Sequence, residues 1–195
     1  MSSSSAAPPD PARDAALVTR ATGGDRAALD ALLRAHQHRV LAICTRMMGD
    51  TADAADAAQD ALIAICRGLP RFDHRSSFAT WVYRVTTNAC LDEIRRRSRR
   101  PRAELPGEEE SRATPGHDDA IAARVTIESA LLELPEHARA AIVLRDLCGL
   151  DYAEIGEVLG IPPGTVRSRI ARAREALAGA LGNQTTAGER PTSRP

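Results

Sequence analysis

Tyr152-Ala-Glu-Ile-Gly-Glu-Val-Leu-Gly160-Ile-Pro-Pro-Gly-Thr165-Val-Arg-Ser-Arg-Ile170-Ala-Arg-Ala-Arg174 is the stretch that decides the fold. Tyr152, Ile155, Val158 and Leu159 fall on one face of a short helix. Gly160 ends that helix, because glycine takes the left-handed cap conformation at little cost. Pro162 and Pro163 mark the start of the next, where a missing N–H loses no intrahelical bond. In that second helix Val166, Ile170, Ala173 and Leu177 recur at intervals of four, three and four, which makes one buried stripe. Thr165, Ser168 and Arg172 lie opposite the stripe, Arg167 and Arg174 flank one edge, and Arg169 flanks the other. Two helices about a glycine turn form a helix-turn-helix, whose second helix enters the DNA major groove. An outward arginine fork pairs bidentately with guanine, and flanking arginines suit phosphates. The plainer alternative is an amphipathic helix with a solvated face. The glycine turn, the proline pair and Arg167, Arg169, Arg172 and Arg174 in so short a stretch favour DNA.

Composition supports an all-helical chain. The 195 residues are 43% hydrophobic but only 3% aromatic, and the sequence is rich in Ala, Leu, Arg and Glu, which favour helix over strand. No run alternates as a half-buried strand would. All 26 basic residues are arginine, balanced by 26 acidic ones. Zero net charge argues against a simple nucleic-acid binder, but the distribution reverses that. Between residues 84 and 102, seven arginines (84, 95, 96, 97, 99, 100 and 102) face only Asp92 and Glu93. Between 103 and 119, Glu104, Glu108, Glu109, Glu110, Asp118 and Asp119 face only Arg112. Such blocks point to basic surfaces joined by an acidic connection.

Cys44, Cys66, Cys90 and Cys148 form no CxxC pair. The start, Met-Ser-Ser-Ser-Ser-Ala-Ala-Pro-Pro, has no signal-peptide core, and no apolar run is long enough to span a membrane. A cytoplasmic protein with reduced thiols and no direct membrane insertion is expected. Cys44 and Cys66 fall on apolar helix faces, so they read as small core residues. A redox or zinc role for His36, His38 and Cys44 is the alternative.

Working outward, residues 1–14 are expected to be disordered. A first unit covers 15–100. One helix runs from about Asp25 to Met48 with Leu29, Leu32, Leu33, His36, Val40, Ile43, Cys44 and Met47 inward. A second, about 51–68, buries Ala54 or Ala55, Ala58, Leu62, Ile65, Cys66 and Leu69 and exposes Asp53, Asp56, Gln59 and Asp60. After the loop from Pro70 to Arg75, Ser76 or Ser77 caps a long helix to about Arg97, with Phe78, Val82, Val85 and Ala89 as its core stripe and Trp81 packed beside it. Arg84, Asn88 and Arg95 lie within about 40° of one another on another face of it. A cationic helix with aromatics beside it suits phosphate contact and base stacking. Residues 101–119 form a flexible acidic linker, 120–182 a second small helical unit, and 183–195 a disordered tail.

At this point the chain resembles the short extracytoplasmic-function (ECF) group of the sigma-70 family of bacterial RNA polymerase, which keeps regions 2 and 4. Asp53-Ala-Ala-Asp56-Ala-Ala-Gln59-Asp60 looks like region 2.2. Arg75 through Arg96, with Phe78, Trp81, Tyr83, Arg84, Asn88, Leu91, Asp92 and Arg95, looks like regions 2.3 and 2.4. Leu134-Pro135 through Arg174 looks like region 4. The resemblance implies a three-to-four-helix region 2 bundle and a region 4 helix-turn-helix domain. It implies that Asp53, Asp56, Gln59 and Asp60 dock on the clamp helices of the β′ subunit of core polymerase, and that the β flap is a second contact. The loop Phe72, Asp73, His74, Arg75, Ser76 and Ser77 would hold a base flipped from the −10 element, with Arg84, Asn88, Arg95 and Arg96 facing that element. Thr165, Arg167, Ser168, Arg169, Arg172 and Arg174 would read the −35 element. The linker would thread toward the RNA exit path. The Ala-rich region 2.2 and Asp73-His74 depart from the usual pattern. With no sensory domain in the chain, an anti-sigma factor is the implied regulatory partner.

A promoter-specificity subunit has no catalytic residues of its own, and neither a cofactor, a metal nor a small-molecule substrate is expected. No nucleophile elbow, P-loop or metal-ligand spacing suggests an enzyme. The competing reading is a dimeric helix-turn-helix repressor or activator that works without polymerase. It leaves the helix at 76–97 and the acids at 53–60 without a role.

Overall fold

Asp10 and Pro11 start the first helix. The Asp10 carboxylate accepts hydrogen bonds from Ala12 N at 3.0 Å and Arg13 N at 3.4 Å, and Pro11 occupies the first turn. In the computed structural model, which describes residues 10–99 and 127–187, this helix, α1, spans Pro11–Thr22. The stretch expected to be disordered up to residue 14 is therefore helical from Pro11, and Asp14 and Val18 on it are buried. Asp25 caps α2 (Arg26–Met48) by accepting from Ala28 N at 3.0 Å, and that bond holds its carboxyl below the usual range. Asp50 caps α3 (Thr51–Gly68) through Asp53 N at 2.9 Å. A single 3-10 turn, Leu69–Arg71, leads into the loop before α4 (Phe78–Arg99). Ser77 caps α4: its hydroxyl accepts from Thr80 N at 3.0 Å.

In the second half, α5 is helical over 127–133. It is followed by α6 (Glu136–Asp146), α7 (Tyr152–Leu159) and α8 (Pro163–Ala187). The tail expected from 183 is helical as far as Ala187. The linker residues 101–119 and the chain ends beyond 10 and 187 lie outside the described residues. Among the described residues the fold is all-helical, and no helix is long and apolar enough to cross a membrane.

The core differs from expectation in three places. On α2, Ala28 and Leu32 are buried while Leu29 and Leu33 are half-buried. On α3, Ala54, Ala57, Ala58 and Ala61 face inward and Ala55 is exposed. Small residues there let α3 lie close to α2. On α4, burial covers Phe78, Thr80, Trp81, Val82, Tyr83, Thr86, Thr87, Cys90 and Leu91, whereas the expected Val85 and Ala89 are only half-buried. The reason is that α4 is packed on several sides: by α2, α3 and α1, and also by α6 and α7 of the second half. One apolar cluster runs from Val18, Leu32 and Val82 through to Leu144, Ile155 and Ile170. The two halves thus share a core rather than holding separate ones.

Candidate nucleic-acid interface

Local sequence builds the helix-turn-helix tightly. Asp151 and Glu154 make a full capping box: Asp151 accepts from Ala153 N and Glu154 N at 2.8 and 2.9 Å, and Glu154 accepts from Asp151 N at 2.9 Å. Gly160 takes φ 65° and ψ 35°, the left-handed cap. Gly156 has a separate role, since a Cβ there would sit 2.7 Å from the Ile161 carbonyl oxygen. The turn can close only because position 156 carries no side chain. The expected stripe on α8 is buried at Val166, Ile170 and Ala173 and half-buried at Leu177.

The outward face of α8 presents Arg167, Ser168, Arg172 and Arg174, with Thr165 and Arg169 half-buried at its edges. The arginines are not equivalent. The Arg174 guanidinium donates to Asp146 at 2.8 Å, and Arg167 lies over the Tyr152 ring at 5.5 Å. Arg172 donates only to the Ser168 carbonyl of its own helix, at 3.4 Å. Arg172 therefore stands in the centre of the exposed face with only its Nε engaged, within its own helix.

The first half supplies a second face. Phe72 is buried and packs on Phe78 and Trp81 with ring centroids 5.6 and 5.3 Å apart. This aromatic cluster supports the loop from beneath, so Phe72 is a floor for the loop rather than an exposed stacking surface. His74 lies over Phe72 at 4.6 Å with φ 57°, and Arg75 N donates to Asp73 at 3.3 Å. Non-glycine residues rarely hold such a φ, and here ring packing holds it. Beyond the loop, Asn88, Arg95 and Arg96 are exposed on α4 and Arg84 is half-buried. Arg96 pairs with Glu93 at 2.5 Å.

Of the four acids and amides on α3, Asp56, Gln59 and Asp60 are exposed, whereas Asp53 is half-buried and paired with Arg97 of α4. A groove of about 630 Å³ between α3 and α4 is lined by Asp53, Asp56 and Asp60 on one side and Asn88, Arg96 and Arg97 on the other. A second groove, of about 610 Å³, went unread in the sequence. It lies between α2 and α3, with Leu41, Leu62, Ile63 and Cys66 along its floor and Gln59 at its rim. Leu41 and Ile63 are 45% and 38% exposed. The signal was available: both interrupt the polar faces of otherwise regular amphipathic helices.

The zinc alternative is not supported by placement. His36 is buried and bonded to Asp14 at 2.9 Å, while His38 is exposed on another face of α2. Two residues two apart on a helix point in different directions. Cys44 lies 3.5 Å from Cys90, Sγ to Sγ, and that contact together with burial pushes its thiol upward. Among the described residues no group of three or more His, Cys, Asp or Glu could hold a metal ion.

Known proteins resemble this chain in sequence and in fold. The family model for sigma-70 region 2 matches residues 32–100, and that for sigma-70 region 4 matches 124–177. The ECF RNA polymerase sigma factor SigM of Mycobacterium tuberculosis is 38% identical over 174 residues, covering 89% of this chain and 87% of that protein. The ECF RNA polymerase sigma-E factor of Escherichia coli is 35% identical over 176 residues, covering 84% and 92%. Among solved structures, CnrH in complex with the cytosolic domain of CnrY superposes with a TM-score of 0.65 at 29% identity, covering 88% of this chain and 98% of that one. RpoE of Bartonella quintana, in complex with the anti-sigma factor NepR, gives the same TM-score at 23% identity and shares the fold, covering 78% and 96%. With its two regions in order and its relatives matched over most of their length, the chain belongs to the ECF group of RNA polymerase sigma factors.

Proposed function

We propose that the chain binds core RNA polymerase through the α2–α3 groove and its rim, reads the −10 element with the 72–77 loop and the exposed face of α4, and reads the −35 element with α8. The observation that carries this reading is the pairing, in one chain, of a helix-turn-helix with an unpartnered apolar groove on the other half. A repressor needs the first and not the second. Leu41, Leu62 and Ile63 supply apolar area, and Asp56, Gln59 and Asp60 supply a polar rim that sets register against a basic partner such as the clamp helices. At the −10 end, capture of an unstacked base in the loop over Phe72 offsets part of the few kcal/mol that unstacking requires. Arg84, Asn88, Arg95 and Arg96 hold the strand beside it. At the −35 end, Arg172 reads a base edge while Arg167, Arg169 and Arg174 hold phosphates and Thr165 and Ser168 set the approach.

The protein works in the cytoplasm, where polymerase and DNA are, and it contributes recognition rather than bond-making chemistry. An anti-sigma factor that covers the α2–α3 groove would silence it. Run-off transcription with sigma-free core polymerase on pooled genomic fragments tests the reading. Discrete transcripts that need the protein are expected. Their absence, with direct binding of a dimer to a palindromic fragment, would replace it with the repressor reading.

A further inference from the structure

Asp14 and His36 form a polar pair in the core of the first half. Both side chains are buried, and Nε2 of His36 lies 2.9 Å from a carboxylate oxygen of Asp14. A carboxylate only accepts, so His36 donates from Nε2 and its ring is held in one orientation. The pair joins α1 to α2, and Asp14 precedes residue 32, where the match to region 2 begins. Stability does not account for it. Two apolar side chains of similar volume would stabilise a core at least as well as a buried pair that has lost its water. What a hydrogen-bonded pair adds is direction.

Direction matters because of what the imidazole touches. The His36 and Phe78 rings meet with centroids 5.2 Å apart and planes at 80°. Phe78 meets Phe72 at 5.6 Å, again at 80°. In this edge-to-face arrangement the positive edge of one ring seats on the negative face of the next, so tilting one ring disturbs its neighbour. Phe72 in turn carries His74, at 4.6 Å, in the left-handed backbone conformation of φ 57°. A non-glycine residue keeps that conformation only where its surroundings hold it. Asp14, His36, Phe78, Phe72 and His74 thus form one continuous line from α1 to the 72–77 loop. Helix α1 supports the loop by a second route as well, since it packs on the 3-10 turn Leu69–Arg71 that leads into it.

We propose that Asp14 and His36 are positioning residues for base capture: the carboxylate orients the imidazole, the imidazole sets Phe78, and Phe78 with Phe72 sets the shape of the loop. The proposal rests on the assignment of the 72–77 loop to the −10 element. It makes α1 part of promoter selectivity although Asp14 and His36, being buried, touch no base. A loop whose support is loosened still exists, but it no longer favours one base over the others.

Holoenzyme assembled from core polymerase and the full chain tests this on a promoter library randomised over the −10 element and, separately, over the −35 element, with the transcripts sequenced. D14L and H36L should flatten base preference at the −10 position that the loop captures by roughly tenfold, and leave the −35 preferences as in wild type. D14N keeps an oxygen acceptor for Nε2 and should retain most of the −10 preference. V18A trims buried volume on α1 but changes no residue of the line; it should lower the melting temperature and leave both sets of preferences unchanged. Trp81, the chain's only tryptophan, lies 5.3 and 5.6 Å from Phe72 and Phe78 and reports on the ring cluster without DNA. Its emission should shift in D14L and H36L and stay in place in D14N and V18A. If D14L or H36L loses its helical circular dichroism, H36Q decides, because glutamine keeps a donor for Asp14 but loses the ring against Phe78. Wild-type −10 preferences in the variants that break the line overturn the proposal. So does a loss spread equally over the −10 and −35 elements, which a merely structural pair would give. A wild-type library without any −10 preference overturns the loop's assignment and the positioning role together, which separates that failure from one confined to Asp14 and His36.

Discussion

Gly156 is a residue whose reason shows only in three dimensions. In the sequence it is one more small position on a short helix, and Gly160 claims the turn. In the fold it is the point where the Ile161 carbonyl crosses α7. Gly156→Ala should destabilise the second half by about 1–3 kcal/mol, read as a lowered urea midpoint with unchanged slope. The exposed place of Arg172 opposite the apolar stripe, by contrast, was legible, and on the proposed reading Arg172→Ala should cost about 1–3 kcal/mol at a single −35 position, measured by transcription from a set of point-mutated promoters. Tyr83 carries a pH dependence. Burial, with Cys148 beside it, pushes its phenol up to about 12 from the ordinary 10, against the nearby Arg39 guanidinium. Because the folded state holds its proton longer than the unfolded one, Tyr83 contributes stability that is complete below pH 10 and is lost as pH rises toward 12. The full loss is on the order of 3 kcal/mol. Tyr83→Phe should flatten this part of the alkaline stability curve, and an unchanged curve would mean the phenol is not held this way.

At the scale of elements, α2, α3, α4, α7 and α8 were legible because capping residues and apolar spacing agree at each of them. Helix α1 was not. Its N-terminal signal, Asp10-Pro11, sits at the end of a Ser-, Ala- and Pro-rich run whose composition masks it, and its main inward polar group is the Asp14 carboxylate, which only the buried His36 makes sense of. The inward face of α4 was misread for a related reason: a single stripe is the right expectation for a helix on a bundle surface, and α4 is enclosed on several sides. The α2–α3 groove is where element and proposed function meet. Leu41→Asp and Ile63→Asp alter exposed positions, so the fold should survive with its melting temperature nearly unchanged. Each should weaken core polymerase binding by about 2 kcal/mol or more, since an apolar anchor at the centre of an interface carries that much. Asn88→Ala on α4 should instead leave polymerase binding intact and reduce transcription only from promoters with a native −10 element. Equal losses at promoters with and without that element would argue that Asn88 supports the fold rather than reads DNA.

Across the whole molecule, the order of the two halves was legible, but their shared core was not. Arg39 and Arg139 look in the sequence like any arginine on a helix, because what they bond is a backbone carbonyl of a distant helix, and no periodicity encodes that. The length of the connection carries a consequence of its own. Elements named for positions −10 and −35 lie about 25 base pairs apart, a straight path of roughly 85 Å at about 3.4 Å per base pair, which the halves themselves partly cover; α4 alone, at 22 residues, is about 33 Å long. Roughly 50 Å then falls to residues 100–126, well inside their reach of about 90 Å. Deleting 104–121 leaves nine residues and a reach of about 30 Å, too short for both faces to engage. Transcription from promoters that need both elements should collapse, while core polymerase binding through the α2–α3 groove and the helix content of the chain persist. Replacing 104–121 with a Gly/Ser sequence of equal length separates reach from charge. Recovery of transcription by that chain means the connection acts as a spacer; continued loss means the carboxylates of Glu104, Glu108, Glu109, Glu110, Asp118 and Asp119 make contacts of their own along the polymerase path.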